Sequence, residues 1–82
     1  MRVTVLVRPK AGILDRQGQA VESSLKHLGF KVSGARVGLV IDLDVNESDS
    51  AAARAAAARM CEQLLANALI ESYEIELPDG GA

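Results

Sequence analysis

The 82-residue chain carries a formal net charge of −2, is 49% apolar and has only two aromatic residues, Phe30 and Tyr73. Binding nucleic acid takes clustered Lys and Arg to neutralise phosphates and aromatics to stack bases, and this chain has neither, so that class is excluded. Its apolar runs fall far short of the roughly 20 residues that span a membrane, and the lone Cys61 leaves no intramolecular disulfide or cysteine-rich metal site.

The first residues alternate: Val3, Val5 and Val7 against Thr4, Leu6 and Arg8 predict a half-buried strand stopped by Pro9. They lack a signal peptide's cleavage region, which together with the unpaired cysteine makes a cytoplasmic location the expectation. Asp15 caps a helix to about Leu28, with Val21, Leu25 and Leu28 on one stripe and Gly29 placed to end it. Phe30 to Val37 reads as a second strand, and beyond Gly38 the run Leu39 to Val45 reads as a third. Ser48-Asp49-Ser50 supplies caps for a long helix with Ala53, Ala57, Met60 and Leu64 at helical spacing, for which Asn67 is a left-handed stop. Tyr73, Ile75 and Leu77 alternate with Glu74 and Glu76 in a last strand. The expected fold class is α+β, in the order βαββαβ of the ferredoxin-like arrangement, an antiparallel sheet with two helices on one face. The domain is 1–78, followed by a flexible tail, 79–82.

A domain of this size buries only about 60% of the surface of its unfolded chain, so with so few aromatics the core is thin and oligomerisation is a natural supplement. Catalysis has little to stand on. Asp42, Asp44, Glu74 and Glu76 would converge on a hard cation only if their strands were neighbours, and alternating carboxylates on a sheet face are more often a solvated surface. His27 falls in the last turn of the first helix, where a cation suits the helix dipole and no partner for acid–base chemistry is near in sequence. Cys61 lies beside the apolar stripe and reads as a buried, inert thiol. Gly34, Gly38, Gly80 and Gly81 match no phosphate-cradling pattern, and Arg54 and Arg59 are either solvated or turned toward a partner's carboxylates. Gly18 is the anomaly: inside a helix it costs roughly 1 kcal/mol relative to alanine, so it marks a point of close approach.

Two segments carry a resemblance. Lys10 to Val21, containing Leu14-Asp15-Arg16-Gln17-Gly18, and Leu64 to Tyr73, LLANALIESY, resemble the PurS family, small subunits of phosphoribosylformylglycinamidine synthase. The family shares an LDPQG-type helix start, an LLAN segment leading through Ile-Glu to an aromatic, and a glycine after Arg-Val, here Gly38 after Arg36-Val37. Arg16 stands where the family commonly has proline.

The resemblance implies a PurS-like, dimeric fold and a non-catalytic subunit of an ATP- and glutamine-dependent ligase of purine synthesis. This subunit bridges the synthetase PurL and the glutaminase PurQ and supports ammonia transfer between them. It implies a homodimer or dimer of dimers, able to exchange the first helix and second strand between protomers. It implies no cofactor on this chain, with ATP, Mg2+ and glutamine used by the complex. Leu14, Asp15, Gly18, Val21, Leu64, Leu65, Asn67, Ile70 and Tyr73 are the expected packing and assembly residues. The alternative is an ACT-like regulatory dimerisation module that binds a small molecule.

Overall fold

The computed structural model describes residues 1–78; the expected tail, 79–82, lies outside them. Strand β1 spans Arg2–Pro9, helix α1 Arg16–His27, strand β2 Leu39–Asp44, helix α2 Ser50–Met60, a π-helical turn Cys61–Leu65, and strand β3 Glu71–Glu76. The sheet is antiparallel in the order β2-β1-β3. The valines of β1 have partners on both sides: Val5 faces Ile41 and Ile75, and Val7 faces Leu39 and Tyr73. One face of the sheet is therefore apolar across all three strands.

Helix α2 covers that face. Ala53 and Ala57, fully buried, lie with Val3, Val5 and Val7, and their small side chains let the helix axis come close to the strands. Asp49 caps α2, accepting from the Ala52 amide at 3.0 Å. Below Met60 the helix widens into the π turn, closed by the Ala66 amide donating to the Cys61 carbonyl at 3.0 Å. The inward stripe is therefore Ala53, Ala57, Cys61 and the half-buried Leu65, and the expected stripe residues Met60 and Leu64 are exposed. Asn67 is not a left-handed stop, since no non-glycine residue has positive φ among the described residues. Instead its carbonyl accepts from the Ile70 and Glu71 amides and its side chain accepts from the Leu69 amide, turning the chain into β3.

Helix α1 departs from expectation. Its limits agree with the sequence reading, Asp15 capping the start and Gly29, at φ 97°, ending it. At that end Gly29 donates to the Lys26 carbonyl and Phe30 to the Leu25 carbonyl, both at 3.0 Å, which is a Schellman closure. But α1 does not join α2 on the sheet. Gly18 is its one buried residue, and Val21, Leu28 and the following Phe30 are exposed. Residues 30–37, expected as a strand, run back beside the start of α1 without pairing with the sheet among the described residues. Helix and returning segment together form an arm, and the molecule measures 48 × 26 × 17 Å. A strand needs a neighbour to accept its amides. Among the described residues this segment has no strand beside it, and at its two ends the Phe30 and Val37 amides donate instead to the Leu25 carbonyl and the Asp15 carboxylate.

Candidate functional site

Four of the residues singled out in sequence, Leu14, Asp15, Gly18 and Ile70, lie at the root of the arm. Asp15 accepts two backbone hydrogen bonds, one at each carboxylate oxygen: Oδ1 from the Gly18 amide at 2.9 Å and Oδ2 from the Val37 amide at 2.9 Å. The first is the expected helix cap. The second joins the start of α1 to a residue 22 positions on, where the chain returns to the sheet. These two bonds, with the nearby Arg36 charge adding to them, hold the Asp15 carboxyl below its ordinary value against the opposing effect of burial.

Gly18 lies in the same junction. A Cβ there would collide with the backbone carbonyl oxygen of Ala35 as well as with the Asp15 carboxylate. The close approach expected at Gly18 is real, and the neighbour is the chain's own returning segment. Gly38, at the other side of the junction, would meet the Val7 carbonyl in the same way. Backbone thus packs on backbone at both points.

The two distant motif segments come together here as well. Lys10 donates its amide to the Ile70 carbonyl at 2.8 Å and its Nζ to the Ala68 carbonyl at 2.6 Å. An open cleft of about 360 Å³ lies between the segments, lined by Pro9, Leu14, Asp15, Val37 and Ile70 among others. Tyr73 packs against the core, while Leu64, 84% exposed, and Val21 face solvent. The sequence reading missed Ala35, whose contribution is a carbonyl and so leaves no mark in side-chain type. Arg16 is exposed, its side chain makes no hydrogen bond or ion pair among the described residues, and nothing in the structure explains its presence.

The titratable residues considered as candidates stand apart from one another. The acidic strand residues are divided, because β1 lies between β2 and β3 and binds their side chains separately. Arg2 pairs with Asp44 at 2.9 Å, Thr4 donates to Asp42 at 2.8 Å, and Arg8 pairs with Glu74 at 3.3 Å. Cys61 is buried, and burial pushes its thiol up, away from the thiolate that a nucleophile needs. His27 is exposed at the end of α1 beside Ser23, Ser24 and Leu28.

What remains is a pair of uncovered apolar surfaces. The stripe of α1 is one. The other is the β2 side of the sheet's apolar face: α2 packs on β1 and β3, leaving Leu39 57% exposed and Ile41 and Leu43 half-covered. The outer face carries the ion pairs, with Leu6 and the exposed Val40 opposite each other among them.

The fold is found in known proteins. The family model described as PurS, phosphoribosylformylglycinamidine (FGAM) synthase, matches residues 2–79. The chain belongs to the PurS family. The PurS subunit of phosphoribosylformylglycinamidine synthase from Synechocystis is 43% identical over 77 residues, covering 93% of this chain and 75% of that protein. The crystal structure of Methanocaldococcus jannaschii PurS superposes with a TM-score of 0.80 at 32% identity, over 92% of each chain. A chain in the structure of PurLQS from Thermotoga maritima superposes with a TM-score of 0.82 at 28% identity, covering 92% of this chain and 93% of that one. PurS members so related by sequence keep the same fold. No helix among the described residues is long and apolar enough to cross a membrane.

Proposed function

We propose that this chain, as a single domain over 1–78, is the small, non-catalytic subunit of a phosphoribosylformylglycinamidine synthase of purine biosynthesis. Its partners in that reading are a PurL-type synthetase and a PurQ-type glutaminase, as in the PurLQS structure to which it is similar. The observation that carries the reading is the continuous family match over 2–79, supported by relatives that bear the same subunit's name. The family match sets aside the ACT-like alternative. In the complex, ATP, Mg2+ and glutamine act on the partner subunits and this chain binds no cofactor. The cytoplasm is its proposed location.

The contribution of such a subunit is assembly. Ammonia released at one site is protonated and diffuses away unless the route to the second site is enclosed, so holding the two enzymes together raises the useful rate. We propose that the chain acts as a homodimer that exchanges its arm. Helix α1, 12 residues, is about 18 Å long, and β2, 6 residues, about 20 Å, so the uncovered stripe of one copy fits the uncovered strand of the other. A two-fold exchange covers both surfaces at once.

Reconstitution tests the function. With PurL and PurQ from the same source, adding this chain should restore glutamine-dependent formation of the amidine and change the free-ammonium reaction much less. If the glutamine reaction is the same with and without the chain, the reading is wrong.

A further inference from the structure

We infer that Asp15 is a positioning residue for assembly: its carboxylate joins the two roots of the arm and so sets the direction in which α1 leaves the sheet. An ordinary helix cap needs one acceptor for one orphan amide of the first turn. Asp15 uses its second oxygen on Val37, which is in no helix and belongs to the segment leading into β2. The arm therefore has a covalent root at each end, through residues 10–15 and through Gly38, and a non-covalent tie between them. Around that tie the packing leaves no slack, since a Cβ at Gly18 would collide with the Ala35 carbonyl and one at Gly38 with the Val7 carbonyl. An arm hinged at both roots without the tie swings about them. With the tie, α1 and residues 35–37 move as one body, and the apolar stripe of α1 is presented at one angle. A surface presented in advance loses less freedom on binding, which strengthens association. That last step rests on the exchanged-dimer reading, whereas the tie itself rests only on contacts within the chain.

Amide hydrogen exchange and sedimentation on the full-length chain test it together. In Asp15→Ala both Gly18 and Val37 should lose protection while the β1 and β3 amides keep theirs, and self-association should weaken on the order of tenfold. Asp15→Asn separates the two bonds, because a carboxamide offers one acceptor oxygen and presents a donor to the other amide. One of the two amides should stay protected and the other should not. Asp49→Ala, which removes the ordinary cap of α2, serves as the control and should leave Val37 protection unchanged.

The inference is overturned if Val37 stays protected in Asp15→Ala, or if protection is lost and association is unaltered. A wild-type chain that sediments as a monomer at every concentration overturns the exchanged dimer instead, and the Val37 amide then still decides the tie.

Discussion

Replacing Gly18 by alanine sets two effects against each other. Helix propensity favours alanine by roughly 1 kcal/mol, and a naive reading predicts stabilisation. The Ala35 carbonyl occupies the place of the new methyl group, and backbone cannot rotate aside as a flexible side chain can. Overpacking of this kind costs about 1–3 kcal/mol, so Gly18→Ala should lower stability, read as an earlier urea midpoint with an unchanged slope.

Asp15 makes a second prediction at the same scale. Its carboxyl is held below its ordinary value of 3.8 by the Gly18 and then the Val37 amide. The native state therefore binds the proton less readily than the unfolded chain does, and the stability from this group is complete above pH 3.8. It is lost as pH falls through the lowered native value. An NMR titration should find Asp15 ionised below the range of an exposed aspartate, with Val37 amide protection falling alongside as it protonates. Asp44, lowered by its hydrogen bond and charge pairing with Arg2, should titrate low as well, with no effect on Val37.

At the scale of elements, α2 and β1 form the working core. The alanine face is small because the helix lies against a row of valines, and enlarging it forces the two apart. Ala57→Leu should destabilise the fold by about 1–3 kcal/mol in denaturant unfolding, although leucine is itself a good helix former. Cys61 sits at the start of the π turn, fully buried. Cys61→Ser replaces a thiol by a hydroxyl that needs a partner, at a cost of about 1–3 kcal/mol, and the wild-type thiol should react with a disulfide reagent only as fast as the fold opens. The exposed Leu64, within this turn, and Leu69, after it, are absent from the core and should tolerate polar substitution in the isolated subunit.

At the scale of the whole molecule, the arm and the open β2 side make the fold of one copy incomplete. Leu28, 71% exposed, and Leu39 belong to the two surfaces proposed to meet across a dimer. Each Leu→Ser change removes apolar burial worth about 1.5–3 kcal/mol, so either should weaken dimerisation by tenfold or more in sedimentation. Helical content by circular dichroism should be retained at concentrations where the variant is still dimeric.

Much of this was legible in the order of residues. The alternation of Val3, Val5 and Val7 and of Tyr73, Ile75 and Leu77 located two strands, Asp15 and Asp49 located two helix starts, and Gly29 one stop, because these signals act over a few bonds of chain. The motif pair around LDRQG and LLANALIESY was legible too, and with it the family. The sequence by itself could not say where α1 would lie: its stripe has the spacing of a core helix, and apolar periodicity states that a face must be covered without stating by what. Nor could it show that Asp15 reaches Val37 or that Gly18 meets Ala35, since those contacts join residues far apart in the chain and one of the groups is a backbone carbonyl common to every residue. The local elements were determined by short-range sterics and capping chemistry, readable one segment at a time. The arm's tie, the uncovered β2 side and the missing partner of residues 30–37 were decided only by tertiary structure, where the chain's own atoms fill some surfaces and leave others bare.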